Sequence, residues 1–183
     1  MKIIEELNKY ATGKLVLLLF GITTGVYLAI LLYFIPSVLE QAPGLKLFDM
    51  SPGGYSYEDA IHLLDAIGPT GREKYLQRQL PIDFIYPGLF AVSYTLMLSW
   101  LFSKRIDPKS KIYLLVLVPA AAGLFDYIEN IGIISMLITY PVVSPRWVQF
   151  ASLFSILKSV MTIAFYVLFF YGVLLFGLKR KHS

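Results

Sequence analysis

Two carboxylates and an amide interrupt a long apolar run at Asp126-Tyr127-Ile128-Glu129-Asn130. Asp126, Glu129 and Asn130 are spaced i, i+3, i+4 and therefore share one face of a helix. In hydrocarbon such groups need partners, and an ionisable side chain within a span is by default a candidate functional site. The partner nearest in depth is Lys158. The apolar segments on either side of residues 141–146 form a helical hairpin, and counting outward from its turn brings Glu129 and Lys158 to the same level. Asp126 lies about one turn further in, within reach of a lysine stem. Ser155, Lys158, Ser159, Thr162 and Tyr166 share one arc of the following helix, with Ser152 at its edge. Hydroxyls in that pattern line an interior face. Two acids against one lysine leave one carboxyl without a full counter-charge.

The chemistry this set allows is limited. One reading is a polar clasp that fixes helix register, the best-attested use of a buried ion pair. The other is a site for a small polar or amphipathic ligand, or for a coupling proton, with Asp126, Glu129, Asn130, Lys158, Ser155 and Thr162 as its residues. Thr23, Thr24, Tyr27 and Tyr94 are expected to face it from other helices. A second set, Asp83, Tyr86, Pro87, Phe90 and Tyr94, falls on one helical stripe, and Asp83, Tyr86 and Tyr94 read as the mouth of an aromatic-lined cleft. Against this, an acid in a first helical turn is also explained by the helix dipole. No catalytic motif accompanies these residues. The two histidines, His62 and His182, lie far from the acids, and cysteine is absent. No metal site and no cofactor are therefore expected, and thiol redox chemistry of the quinone-linked four-span kind is excluded.

The elements that must position these residues are membrane spans. Of 183 residues, 57% are hydrophobic and 15% charged, and the apolar runs are too long for a soluble domain. The expected fold is all-α, a single membrane domain built as a bundle of four transmembrane helices over about 15–36, 82–102, 112–140 and 147–178. A leading amphipathic segment, 1–13, is suited to an interface. The first apolar run is too long for a cleavable signal, and no small-x-small site follows it. Within it, Gly21 and Gly25 form a small-xxx-small pair, which suits either packing inside the bundle or dimerisation. Pro119 is expected to kink the third span.

The loop 37–81 is punctuated like ordered, partly helical structure. Ser56 with Asp59 and Thr70 with Glu73 read as two capping boxes, predicting helices over 57–67 and 71–80 that lie on the membrane or cap the bundle. Pro81 is expected to open span 2. Basic residues number ten in the N-terminal segment, the 104–111 turn and the tail, against five in the long loop and the 141–146 turn. This places both termini in the cytoplasm and the long loop outside. The same distribution explains the net charge of +4 without nucleic acid. The membrane is expected to be the cell membrane, or that of the endoplasmic reticulum in a eukaryote. Lys179 and Lys181 occupy the positions of a dilysine retrieval signal, although basic flanks of a last span look the same.

In layout, with cytoplasmic termini, a long first outer loop with a Tyr-Pro, Tyr86-Pro87, near its exit, and a basic tail, the chain is similar to the four-span sterol-isomerase-like and sigma-2-receptor-like family. Its first span carries no acid, so no site residue is carried over. The expected function is binding of a small amphipathic or lipid-like molecule in a cleft opening toward the long loop, with translocation an optional extension of it and membrane lipid as its surroundings. The alternatives are a structural or assembly subunit whose loop docks a partner protein, and a lipid-modifying enzyme of the type the resemblance implies.

Overall fold

The computed structural model describes residues 2–177, and within them the chain is all-helical. Four helices are long and apolar enough to cross a membrane: span 1 (Gly13–Gln41), span 2 (Gly68–Phe102), span 3 (Lys111–Thr139) and span 4 (Pro145–Leu175). The basic tail from residue 178, with Lys179 and Lys181, lies outside the described residues.

Span 2 is the central helix, packing against each of the other three, while spans 3 and 4 form the most extensive pair. That pairing is close because Gly132 faces Ala151: a Cβ on Gly132 would sit 2.5 Å from the Ala151 Cβ, so only a hydrogen lets the two backbones meet. The two core clusters occupy opposite ends of the bundle. One gathers Phe48, Leu64, Ile67 and Tyr75 beside Ile133 and Met136. The other holds Phe90, Phe102, Tyr113 and Phe165 and is closed by the N-terminal helix Lys2–Tyr10, whose apolar Ile4 is buried. Asn8 of that helix accepts hydrogen bonds from Ser99 Oγ at 2.8 Å and from the Tyr113 hydroxyl.

Several local features differ from the sequence expectation. Span 2 begins at Gly68, not at Ile82, so the predicted helix over 71–80 is its first part. Gly68 has φ +62°, which turns the chain directly from the loop helix Tyr57–Ala66 into Pro69 at the new helix start. The helix therefore starts upstream of Thr70, which makes no cap. Pro81 falls inside the long helix, just after a π-widened turn at Tyr75–Gln79. A similar turn, Ile30–Phe34, precedes Pro36 in span 1. In each case the proline lacks a donor and crowds the carbonyl four residues back, and the wider turn relieves that clash. Pro119 stands in the first α-turn of span 3, where the 3₁₀ segment Lys111–Leu117 ends. The Ser56–Asp59 capping box is formed in both directions. Its reciprocal bonds hold the Asp59 carboxyl below the usual aspartate range.

The loop helix spends its apolar side on the bundle, with Ala60, Leu63, Leu64 and Ile67 buried and Ile61 half-buried. Its far end is held by Tyr140, whose hydroxyl donates to Asp65 and whose ring lies 4.1 Å from the Arg72 guanidinium. The bond to Asp65 pushes the Tyr140 phenol up, and Arg72 opposes it.

Candidate functional site

Glu129 and Lys158 meet as the hairpin count requires: Lys158 Nζ lies 2.5 Å from Glu129 Oε2 and 3.4 Å from Asp126 Oδ1. The contact to Asp126 is a hydrogen bond, whereas the closer one to Glu129 is an ion contact without hydrogen-bond geometry. Glu129 is completely buried. Asn130 does not bond to either acid. Its Nδ2 donates to the Asp83 carbonyl at 3.2 Å and ties span 3 to span 2.

The hydroxyl stripe of span 4 divides in two. Ser152 Oγ accepts from the Tyr55 backbone N–H at 2.8 Å, and Ser155 Oγ donates to the Ser51 carbonyl at 3.0 Å. These two serines hold the long loop against the bundle. Gly54 lies so close that a Cβ there would be 2.6 Å from Ser152 Oγ. Ser155 is thus a loop anchor and does not line the cavity, whereas Ser159 and Thr162 do. Tyr55, on the anchored loop, has its phenol pushed up by burial and, secondarily, by the Glu129 charge.

The cavity itself holds about 470 Å³ and is walled by all four spans and the loop. Span 1 contributes Thr24, Tyr27, Ile30 and Leu31, span 2 Asp83, Tyr86, Phe90 and Tyr94, and span 3 Asp126. Span 4 adds Lys158, Ser159, Thr162, Ile163 and Tyr166. Thr23 instead points into span 2, where its hydroxyl donates to the Leu89 carbonyl at 3.5 Å. Asp83 and Tyr94 are only 5% and 9% exposed, so these residues are cavity wall and not its mouth. The end expected to open toward the long loop is walled by the loop itself, through Asp49, Met50 and Pro52.

The open side lies between spans 1 and 4. Span 1 packs on span 2 and makes no extensive contact with span 4. The cavity residues along that gap are exposed, Tyr27 by 40%, Tyr166 by 50% and Ile163 by 63%.

Asp49 is the site residue that sequence reasoning missed. It reaches the cavity from the loop, held by the Tyr75 hydroxyl, which donates to Oδ1, and by Gln79 Nε2, which donates to Oδ2 at 3.3 Å. Its signal in the sequence is faint: an acid beside Leu47 and Phe48, which are buried, just before the Pro52-Gly53-Gly54 turn. The Asp83 Oδ2 is buried without a hydrogen-bond partner, as are both Glu129 oxygens, but Glu129 has Lys158 beside it whereas Asp83 makes no ion pair among the described residues. Four acids therefore stand in or beside the cavity against a single lysine. Among the described residues no group of histidine, cysteine and acidic side chains could hold a metal ion. The arrangement can bind a polar head and shelter an apolar body. Neither a family of known proteins, nor a curated protein, nor a solved structure matches the chain, so a functional reading has to come from this geometry.

Proposed function

We propose that the protein is a multi-pass membrane protein that binds a small amphipathic or lipid-like molecule in the cavity between spans 1 and 4. The observation that carries this is a cavity of about 470 Å³ with aromatic walls and a buried, unpartnered carboxylate on one of them. Ligand sites are typically concave, about 300–1,000 Å³, largely apolar, and oriented by a few polar groups. The polar end of the molecule lies against the acids, and its apolar part lies along Tyr86, Phe90 and Tyr94. The basic residues of the two ends and of the 104–111 turn support a cell-membrane protein with both termini cytoplasmic and the long loop outside.

A second reading, a purely structural role, is favoured by the complete burial of Glu129 against Lys158. It accounts for the clasp but not for the space beside it. The two separate by mass spectrometry of small molecules that co-purify with wild type and with Thr162→Trp, which fills the cavity. Binding predicts a stoichiometric molecule in the wild type that the variant lacks at unchanged thermal stability. The same small-molecule complement in both proteins would refute it.

A further inference from the structure

Span 2 carries a proline, Pro87, inside its α-helix. In an unbroken helix the Asp83 carbonyl accepts from the backbone N–H four residues on, and Pro87, which stands there, has none to give. The replacement donor comes from another span: Asn130 Nδ2 reaches the Asp83 carbonyl at 3.2 Å. Asn130 is completely buried and its Oδ1 has no hydrogen-bond partner, so its amide is committed to this one carbonyl. Span 3 follows the break on both sides of that bond. Gly123, Tyr127 and Asn130 form one stripe of it, spaced i, i+4, i+7. A Cβ on Gly123 would sit 2.6 Å from the Pro87 carbonyl oxygen, and one on Gly88 2.7 Å from the Tyr127 hydroxyl.

We propose that the Asn130 bond is the latch of a hinge in span 2. Its release lets the half of the helix carrying Asp83 and Tyr86 move against the half carrying Phe90 and Tyr94, and so changes the width of the cavity that all four residues line. The place of the break supports this. Tyr75 and Leu80, before it, belong to one core cluster, and Phe90, Tyr94 and Leu98, after it, to the other, while Tyr86 packs against both. Each half is thus fixed in its own core, and bending concentrates in the turn between them, where the helical ladder lacks a bond. Gly88, directly after the proline, adds a residue with few restraints on its backbone. The close contacts at Gly123 and Gly88 set how near the two spans lie, whereas the Asn130 amide is directional and can be made or unmade.

The test reads the helix itself. Spin labels at Gln77→Cys and Val92→Cys, exposed on either side of the break, are introduced into the full-length cysteine-free chain in nanodiscs, and the width of their distance distribution is measured by pulsed electron spin resonance. The labelled chain is otherwise wild type, or carries Asn130→Leu, Pro87→Ala or both. Leucine is close to asparagine in volume and has no donor. Asn130→Leu is expected to broaden the distribution about twofold, because the Asp83 carbonyl then has neither donor. Pro87→Ala restores the N–H and should return the double variant to the wild-type width or below it. Wild-type width in Asn130→Leu overturns the hinge, and a broadening that survives Pro87→Ala overturns the latch, since Asn130 would then act on another partner. Should Asn130→Leu not fold, Pro87→Ala is read by itself: a distribution narrower than wild type supports the hinge, and an equal one overturns it.

Discussion

Span 4 has two unlike neighbours. Toward span 3 the helices are in backbone contact, with Gly132 set against Ala151 so closely that a methyl group would collide, and the polar groups at that seam are joined through Lys158. Toward span 1 there is no extensive contact, and span 1 is also bare on its far side, where Cβ atoms on Gly21 and Gly25 would meet nothing within 4 Å. Those glycines therefore serve no packing in the bundle. The seam is where polar groups are spent on structure, and the gap is where they remain available. A membrane bundle has no hydrophobic drive to close every face, because lipid tails solvate apolar side chains as well as another helix does. An open face bordered by tyrosines and leading to an acid thus survives without a packing cost.

The strongest way to break this contrast is at the clasp. Lys158→Met should cost ~3–5 kcal/mol, as deletion of one partner of a buried ion pair does, read as a loss of unfolding midpoint in detergent. Adding Glu129→Gln should recover much of the loss, since Asp126 can then remain neutral. An unchanged midpoint for the single variant would separate these residues energetically despite their proximity.

A smaller effect is expected from Gly132→Ala, about 1–3 kcal/mol of overpacking, because the added methyl is directed at Ala151. The same change at Gly25 of span 1, where a Cβ meets nothing within 4 Å, should be neutral or stabilising by up to ~1 kcal/mol through helix propensity alone. Thermal unfolding of the two variants side by side sharpens the comparison, and equal losses would mean that span 1 has a neighbour after all. The smallest effect concerns the loop helix. The Asp59 carboxyl has a lowered folded-state value, so its capping contribution is complete above the ordinary aspartate range and is lost as pH falls through that lowered value. Amide exchange at residues 57–60 should accelerate there in acid, and Asp59→Asn should remove the pH dependence.

Much of the contrast was legible in the sequence on one side only. The seam follows from local rules: apolar runs of spanning length, a short turn at 141–146, and equal residue counts from that turn to Glu129 and Lys158. The gap does not, because nothing in the pattern of span 1 distinguishes a face covered by span 4 from one covered by lipid. Ser155 illustrates the same limit, since its hydroxyl shares an arc with Thr162 yet donates to the loop at Ser51. Asp49 was invisible for a related reason: a residue in irregular structure carries no periodicity, and its position beside Asp83 comes from tertiary folding that buries Leu47 and Phe48. Pro81 misled because a proline at a helix start and one after a π-widened turn leave the same local mark.

The central claim is that water and ligand reach the cavity whereas the contact of span 4 with the loop is sealed, and the cysteine-free chain allows this to be measured directly. Single cysteines introduced as Thr162→Cys in the cavity, Ser155→Cys at the sealed loop contact and Val167→Cys on the exposed outer face of span 4 differ in access to water. A thiol reacts with a methanethiosulfonate only as thiolate, which forms readily in water and poorly in hydrocarbon or a dry core. The account predicts rapid labelling of Thr162→Cys in nanodiscs, protected by a bound amphiphile, and slow labelling of the other two. Thr162→Cys labelling as slowly as Ser155→Cys would contradict it.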